Sequence, residues 1–234
     1  MPVIGIDIGG SKIRAVLWNG ERVIRGREVP TPKNKNDFQR RLVALASSLH
    51  RHEVEGIGIG AAGIVKGTVL LFSPNIPHIK NFDFRRVWPS LPVRVDNDAR
   101  AFARAELLRG VGRGARRVFA LTIGTGIGRA YGKNGKIIRI KRFEYPEPWE
   151  KEYQAVRDRR DNRRLAEFLG KRLAPLMQPY RPEAIVVGGG VLGRRGFLRL
   201  LEAAFGSQGV RARLKRARFR KNGAAVGAAL LFAG

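Results

Sequence analysis

The stretch VIGIDIGGSKIRAVLWNGERVIR, residues 3–25, decides the fold, because it joins a buried strand, one acid, a glycine turn and a second strand. The apolar run Val3–Ile8 predicts a buried strand in which Asp7 is the only charge. Gly9-Gly10 then turns the chain, and Ile13–Trp18 predicts a strand that runs back beside the first. The stretch therefore predicts a β-hairpin with an acid beside its glycine turn.

The turn has the composition of an anion site. Ser11 and Lys12 stand where the turn meets the second strand, so backbone N–H groups, a hydroxyl and an ammonium can face one anion. The carboxylate of Asp7 lies close by in sequence, and carboxylates are suitable ligands for a hydrated magnesium ion. We expect this turn to bind phosphate and a metal.

The chain repeats this stretch. Residues 118–140 read VFALTIGTGIGRAYGKNGKIIRI and lie 115 positions further on. Asn19-Gly20, which predicts a type I′ hairpin turn, matches Asn134-Gly135 in the second copy. The repeat predicts two similar domains that face each other across a shared phosphate site. Chance matching of short glycine-rich hairpins is the alternative.

The two copies differ at one chemically important position. Thr122 stands where the first copy has Asp7, so the turn Gly124-Thr125-Gly126 carries no acid. We therefore expect metal and phosphates at the first turn and phosphates alone at the second. Neither turn fits the P-loop or the dinucleotide fingerprint.

Composition indicates a globular protein of the cytoplasm. Hydrophobic residues make up 44% of the 234 residues, and no run of about 18 apolar residues predicts a membrane span. The first strand begins at residue 3, so we expect no signal peptide and a cytoplasmic location. With no cysteine and three histidines, we expect no zinc; His50 and His52 are interpreted as surface residues.

The formal charge of +27 is the most unusual global property, and 34 of the 46 basic residues are arginine. Such a charge attracts polyanions, so a nucleic-acid partner stays open. The favoured interpretation is an Arg-rich solvated surface, of the kind that suits a thermophile. Anionic substrates such as nucleotides would gain from the same field.

A carboxylate at a strand end is the candidate catalytic group. A short strand over residues 92–95 runs into Asp96-Asn97-Asp98, and a helix follows at once. Asp98 could be a plain helix N-cap, a position that Asp favours. Because a cap needs one residue and this turn offers three, we favour Asp98 as a carboxylate that faces a cleft.

Small and polar residues elsewhere complete the candidate site in this half. The strand of residues 54–61 leads into Gly63, where missing side chains let a ligand or a backbone approach closely. The proline-broken loop SPNIPHIKNFDF, residues 73–84, offers Asn75 as a binding group.

The second half predicts fewer groups that carry chemistry. Gly110–Gly114 suggests a domain boundary, with an N-terminal domain of residues 1–112 plus 222–234 and a C-terminal domain of residues 113–221. Gly188-Gly189-Gly190, between a strand and a helix, suits a flat ring or a phosphate. Helices are predicted over residues 158–178, 191–205 and 222–233, an amphipathic basic strand is predicted over residues 210–221, and no regular structure is assigned to residues 141–152.

These pieces, in this order, resemble the ROK family of sugar kinases, within the actin-like and hexokinase-like ATPase fold. The matching segments are GIDIGGSKIRA, GIGIGAAG, SPNIP with NFDF, VDNDARAFARAE, IGTGIG, RPEAIVVGGGV and GAAVGAALL. The resemblance implies an α/β protein of two ribonuclease H-like domains with a cleft between them.

The resemblance also implies roles for individual residues. Asp98 matches the catalytic base and Asn97 a sugar-hydroxyl ligand, while Asp7 matches the acid that helps to hold Mg²⁺. Two glycine-rich turns and a third glycine run match the sites that hold ATP: Gly9, Gly10, Ser11 and Lys12; Gly124, Thr125 and Gly126; Gly188, Gly189 and Gly190 for adenosine. Asp98 would take the proton of a sugar hydroxyl as that oxygen attacks the γ-phosphoryl group. The expected partners are a sugar and ATP, with no membrane, and a homodimer is compatible with the family.

The chain departs from the family pattern between Gly132 and Asp161. Family members usually carry a Glu-x-Gly-His sugar motif there, followed by a cysteine-rich zinc site. This chain has neither Cys nor His in that segment, and Glu144 is the candidate for the first Glu, with Glu147 in the His position. The identity of the sugar is therefore left open.

Two alternatives to a sugar kinase remain at this point. One is a non-catalytic or regulatory relative that binds nucleotide and contacts nucleic acid through its basic surface. Family repressors carry an N-terminal helix-turn-helix, and a phosphate strand at residue 3 counts against that version. The other is an actin-fold ATPase that activates another enzyme.

Overall fold

The computed structural model describes residues 1–49 and 54–233, so His50 and His52 lie outside the described residues. Contacts divide the chain into two compact units. Unit 1 comprises Met1–Ala105 with Asn222–Gly234, and unit 2 comprises Glu106–Lys221. Among the described residues, no helix has both the length and the apolar character that a membrane crossing requires. The domain limits inferred from the sequence remain a prediction.

Both units contain strands and helices. The strands are β1 Val3–Ile8, β2 Lys12–Trp18, β3 Val23–Pro30, β4 Gly56–Ala61, β5 Ile64–Lys66, β6 Val69–Phe72, β7 Phe82–Asp83, β8 Val93–Asn97, β9 Arg117–Ile123, β10 Ile127–Lys133, β11 Lys136–Ile138, β12 Ala184–Gly188 and β13 Arg213–Arg216. The α-helices are α1 Lys35–Ser47, α2 Asp98–Leu108, α3 Glu150–Asp158, α4 Asn162–Met177, α5 Phe197–Ser207 and α6 Gly223–Ala229. Short 3₁₀ helices span residues 84–86, 141–144, 178–180, 190–193 and 220–222.

The two units contain five-stranded sheets of the same design. In unit 1 the order is β3-β2-β1-β4-β8, with β1, β4 and β8 parallel. In unit 2 the order is β11-β10-β9-β12-β13, with β9, β12 and β13 parallel. The predicted repeat therefore corresponds to two matching hairpins, β1–β2 and β9–β10, each at the centre of its sheet.

The two repeated stretches differ at their Asn-Gly turns and at their glycine turns. Only Asn134-Gly135 has the two positive φ angles of a type I′ turn; of the pair Asn19-Gly20, only Gly20 has one, so that prediction was wrong. The connection from β2 to β3 instead has a four-residue loop in which Asn19 Oδ1 accepts hydrogen bonds from the N–H groups of Glu21 and Arg22. The side chain thus supplies turn bonding in addition to the backbone hydrogen bond from Asn19 N to Arg22 O at 3.3 Å.

The glycine turns of the two copies have different lengths. Ile8 pairs with Ile13 across four residues, whereas Ile123 pairs with Ile127 across three. This difference shifts the register of the second hairpin by one residue, so Arg14 lies opposite Asp7 but Arg129 lies opposite Leu121. A shift of one residue moves a side chain to the other face of a strand, and Arg129 is accordingly buried, where it pairs with Glu150.

Several predicted elements of unit 2 have other limits. The helix predicted over residues 158–178 begins at Asn162, because Asp161 caps it with a hydrogen bond from Arg164 N at 3.0 Å. A separate helix, α3, begins at Glu150, inside the segment of residues 141–152 for which the sequence predicts no regular structure. The helix predicted over residues 191–205 begins at Phe197 after Gly196, which has φ 74°. The basic strand is confined to Arg213–Arg216.

Helix α6 lies directly against the backbone of the central sheet in unit 1. A Cβ atom on Gly5 would stand 1.9 Å from Ala225 O, and one on Gly58 would stand 1.9 Å from Ala228 O. On the side toward α2, a Cβ on Gly227 would stand 1.6 Å from Ala101 O. Glycine is therefore required at these positions for α6 to pack between the sheet and α2.

We expect Gly58→Ala to destabilise unit 1 by about 1–3 kcal/mol, because the added methyl group displaces α6 from the sheet. Gly26→Ala in β3 is the matched control, since a Cβ there would have ordinary contacts at 3.6 and 3.7 Å. Urea unfolding followed by circular dichroism measures both. Equal stability of the two variants would contradict the packing described here.

Candidate active site

The carboxyl ends of three parallel strands meet at one edge of the unit 1 sheet. Asp7 in β1 pairs with Gly60 in β4, and Gly60 pairs with Asp96 in β8. Two strand spacings, about 10 Å, therefore separate the backbones of Asp7 and Asp96. Asn97 and Asp98 follow directly, so this edge carries the acids predicted from both motifs.

The residues of the Asp96-Asn97-Asp98 turn make different interactions. Buried Asp96 accepts hydrogen bonds from Arg100 Nε at 2.5 Å and Arg104 Nη2 at 2.6 Å. Burial alone would raise the pKa of Asp96, but these two guanidinium groups hold it below its usual value. Asp96 is thus an ionised anchor that fixes the turn to α2.

Asn97, and not Asp98, caps α2. Its Oδ1 accepts hydrogen bonds from Ala99 N at 3.0 Å and Arg100 N at 3.3 Å. Its Nδ2 donates to Gly63 O at 3.1 Å, so two of the predicted sugar-binding residues are in direct contact. The plain-cap interpretation of Asp98 therefore does not describe this turn.

Asp98 and Asp7 are partly buried carboxylates whose pKa values are both raised. Burial raises the pKa of Asp98, and hydrogen bonds from the backbone, including Ala99 N at 2.9 Å, offset part of that effect. Burial, followed by repulsion from Asp98, raises the pKa of Asp7 to about 7, although Arg14 on the neighbouring strand lowers it. Two carboxylates with raised pKa values at one edge suit a divalent cation, which would stabilise both as anions.

The first glycine turn is fixed from behind by Thr31. Thr31 Oγ1 donates to Gly9 O at 2.7 Å, and Thr31 N donates to Ser11 O at 3.1 Å. Within the turn, Gly9 N donates to Lys12 O at 3.0 Å. The predicted role of Lys12 meets a competing contact, because its ammonium donates to Glu28 Oε1 at 2.7 Å.

The loop that carries Asn75 packs against this turn. A Cβ atom on Gly10 would lie 2.9 Å from the Cβ of Asn75, so the absence of a side chain permits the contact. Asn75 N donates to the hydroxyl of fully buried Ser73 at 3.3 Å. Gly63, with φ 136°, lies beside Ser73 as well. Unit 1 therefore brings Asn75 to the first turn, and Gly63 to Asn97.

The two glycine motifs of unit 2 also lie together. Gly189 has φ 95°, and a Cβ there would stand 2.3 Å from Ile123 O, directly before the second glycine turn. Gly188, the last residue of β12, pairs with Thr122. The turn itself is closed by a hydrogen bond from Gly124 N to Gly126 O at 3.0 Å.

Three residues that support the glycine turns were not found from the sequence. Thr31 contacts the first turn, as described above. Tyr153 Oη donates to Gly124 O at 2.7 Å, and Arg157 Nη1 donates to the carbonyls of Gly124 at 3.1 Å and Thr125 at 2.8 Å. No periodicity marks these positions as supports, because each contact joins residues more than 20 positions apart.

Glu144, the candidate for the missing sugar-binding Glu, lies in a 3₁₀ helix of unit 2. Arg139 donates to both of its carboxylate oxygens, at 2.6 and 3.0 Å. Glu147 is paired in the same way with Arg142, at 2.8 and 3.3 Å. A sugar would have to compete with these ion pairs, and the role of Glu144 remains a prediction.

Comparison with known proteins shows the family of the chain. The model of the ROK family matches residues 3–141, more than half of the chain. The chain belongs to the ROK family. The ROK glucokinase of Streptomyces griseus, solved in complex with glucose and AMPPNP, is 26% identical and superposes with a TM-score of 0.85, covering 99% of both chains. The predicted α/β fold of the actin-like, ribonuclease H-like type is confirmed.

Relatives with assigned activities are similar over part of their length. The glucokinase of Streptomyces coelicolor is 39% identical over 136 residues, which cover 53% of this chain and 41% of that protein. The N-acetylgalactosamine kinase AgaK of Shewanella sp. strain ANA-3 is 30% identical over 145 residues, which cover 57% of this chain and 46% of that protein. These matches thus span less than half the length of either relative.

The raised pKa of Asp7 predicts a pH-dependent stability. The pKa is about 7 in the folded protein, against an unfolded value of about 3.9, so the unfolded state releases this proton first as pH rises. Folding stability then falls as pH rises from about 4 to 7. We expect Asp7→Asn to match the wild type near pH 4 and to exceed it by about 1–3 kcal/mol at pH 8.

Urea unfolding at several pH values measures this effect. Asp37→Asn is a control of opposite sign, because hydrogen bonds from Asn34 and Arg40 lower the pKa of Asp37. We expect Asp37→Asn to lower the free energy of unfolding above pH 4, because the wild-type carboxylate is ionised there. An identical pH profile for Asp7→Asn and the wild type would contradict a raised pKa at Asp7.

Proposed function

We propose that this ROK protein is an ATP-dependent sugar kinase in which Asp98 is the general base. The observation that carries the proposal is that Asp96, Asn97 and Asp98, at the end of β8, make different interactions. Asp96 is neutralised by two arginines and Asn97 caps the helix, so neither role falls to Asp98. Burial raises the pKa of its carboxylate, which makes it a better proton acceptor than an ordinary aspartate.

The reaction we propose is an in-line phosphoryl transfer. Ionised Asp98 accepts the proton of one sugar hydroxyl while that oxygen forms a bond to the γ-phosphorus of ATP. The bond from the γ-phosphorus to the β,γ-bridging oxygen breaks, and ADP leaves with the electron pair. The products are a sugar phosphate and ADP, with the proton on Asp98. Catalysis is then mainly positioning and electrostatics.

The phosphates of ATP are assigned to the two glycine turns. Gly9, Gly10, Ser11 and Lys12 form the first turn, and Gly124, Thr125 and Gly126 form the second. Adenosine is assigned to Gly188, Gly189 and Gly190, of which Gly190 is open, since a Cβ atom there would meet no atom within 4 Å. These assignments rest on the family resemblance, and the contacts among the glycine motifs within unit 2 support them.

A magnesium ion fits the donor set of unit 1. Asp7 would hold it, and Asp98 lies close enough to raise the pKa of Asp7. The described residues contain no group of three or more His, Cys, Asp or Glu side chains that could enclose a metal, so substrate phosphates and water would complete the coordination. When bound, the ion supplies charge neutralisation on the transferring phosphoryl group.

The acceptor is proposed to be glucose or an N-acetylhexosamine. Both classes occur among the relatives, as glucokinase and N-acetylgalactosamine kinase. Asn97, Asn75 and Gly63 would line the sugar site in unit 1, and Glu144 is the further candidate from unit 2. The competing ion pair of Glu144 makes its contribution the least supported of these four.

The charge distribution supports a second candidate function. Residues 106–221 contain 29 of the 46 basic residues and 10 of the 19 acidic ones, so the excess is concentrated in unit 2. A nucleotide-binding regulator that contacts nucleic acid through this surface would need such a field. Nucleic-acid binding that survives about 0.2 M salt, without sugar turnover, would favour this function over the kinase.

The kinase is tested by coupled detection of ADP over a panel of hexoses and N-acetylhexosamines. We expect Asp98→Asn to lower kcat about 10²–10⁴-fold with the wild-type fold retained, because the amide cannot accept the proton. Asp83→Asn, which changes a partly buried carboxylate bonded to Thr68, is the matched control and should keep wild-type activity.

Turnover that needs no sugar, or that is unchanged in Asp98→Asn, would contradict the proposed reaction. ADP formation without sugar would point instead to an ATPase. A response to one N-acetylhexosamine alone would identify the acceptor class.

A further inference from the structure

One helix holds two carbonyl groups of the second glycine turn, those of Gly124 and Thr125. Helix α3 supplies Tyr153, which donates to Gly124 O, and Arg157, which donates to the carbonyls of Gly124 and Thr125. The three distances lie between 2.7 and 3.1 Å. Burial raises the pKa of Tyr153 to about 12, so its hydroxyl keeps the proton that it donates.

Peptide geometry converts this contact into an orientation of N–H groups. The C=O of one residue and the N–H of the next belong to one planar trans peptide and point in opposite directions. Because the carbonyls of Gly124 and Thr125 point toward α3, the N–H groups of Thr125 and Gly126 point away from it. Within residues 1–49 and 54–233, neither of these N–H groups has a hydrogen-bond partner.

The space around the turn suits a ligand there. Thr125 is exposed, and a Cβ atom on Gly126 would meet no atom within 4 Å. Gly190 is open in the same way, and its backbone N lies 4.0 Å from where a Cβ on Gly124 would stand. Two N–H groups that point into open space beside glycine form a cradle for an anion.

We propose that Tyr153 and Arg157 are positioning residues that orient the N–H groups of Thr125 and Gly126 toward a chain of phosphates. The inference rests on the proposed function for the identity of that ligand, the phosphates of ATP. Neither side chain needs to touch the nucleotide. Their effect passes through the two peptide groups of the turn.

The first turn provides an internal comparison. Thr31 holds the carbonyls of Gly9 and Ser11 as Tyr153 and Arg157 hold those of the second turn. The supports differ in charge, since Thr31 is neutral and Arg157 is a cation. A hydrogen bond from a cation is stronger and polarises the peptide more, which strengthens the N–H on its other side as a donor. The second turn has Thr122 where the first copy has Asp7, so charged support from Arg157 compensates in part for the missing acid.

Arg157 is itself held firmly. Its Nε donates to Asp158 Oδ1 at 2.8 Å, and its guanidinium lies 5.7 Å from the centre of the Tyr153 ring. Its carbonyl accepts a hydrogen bond from Arg194 Nη2 at 2.8 Å, and Arg194 directly follows the 3₁₀ helix of residues 190–193. Helix α3 thus connects the second turn with the segment behind the third glycine motif.

Calorimetric titration with the magnesium complex of AMPPNP, without sugar, tests this proposal. We expect Arg157→Met to weaken binding about 10-fold and Tyr153→Phe about 3-fold, while Arg157→Lys recovers part of the loss. Titration with adenosine should give the wild-type affinity in every variant, because adenosine has no phosphate. Arg172→Met is the matched control, since it removes an exposed ion pair with Glu152 of α3 without touching the turn.

Unchanged AMPPNP affinity in folded Arg157→Met and Tyr153→Phe would overturn the proposal. Equal losses for AMPPNP and adenosine would also overturn it, because they would indicate general damage to unit 2. If Arg157→Met does not fold, Tyr153→Phe, which deletes one hydroxyl, carries the test alone. Phosphate-specific losses in a protein without sugar turnover would overturn the proposed function and support this inference.

Discussion

The direct contact between the backbone of α6 and the central strands of unit 1 is the constraint on which the site depends. Gly5 and Gly58 bring the helix onto the sheet, and Gly227 brings α2 onto the other side of the helix. This packing fixes where α2 begins relative to β1 and β4. Because the register of the parallel strands is fixed too, Asp7 and the turn before α2 share one edge. A side chain at any of these glycines would displace α6 or α2, and so would disturb the packing that places Asp7 and Asp98 at one edge.

The electrostatics of that edge favour function over stability. Asp7 and Asp98 are both partly buried, and burial raises the pKa of each; repulsion from Asp98 raises the pKa of Asp7 further, which costs folding free energy at neutral pH. Asp96, two residues before Asp98, is stabilised by two arginines. The local structure can therefore neutralise a carboxylate with arginines, whereas among the described residues Asp98 accepts a hydrogen bond only from the backbone.

The strands and the main groups of unit 1 could be predicted from sequence because their signals are local. Alternation in VIGIDI placed Asp7 in a buried strand, and the polar turn before an amphipathic run placed Asp98 at the start of a helix. The type I′ turn at Asn19 was wrong because the side chain of Asn19 supplies turn bonding that the dipeptide rule does not weigh. Helix α3 was not predicted, because the segment before it is interrupted by prolines. Only tertiary contacts identify Tyr153 and Arg157 as supports of a turn about 30 residues earlier.

The most direct test of the account is the fate of the γ-phosphoryl group, followed by phosphorus NMR with magnesium, ATP and the sugar that gives the fastest turnover. Phosphoryl transfer to a sugar should give one sugar phosphate for each ADP, with no inorganic phosphate formed beyond a control without protein. Inorganic phosphate formed in step with ADP, with no sugar phosphate, would contradict transfer to a hydroxyl activated by Asp98.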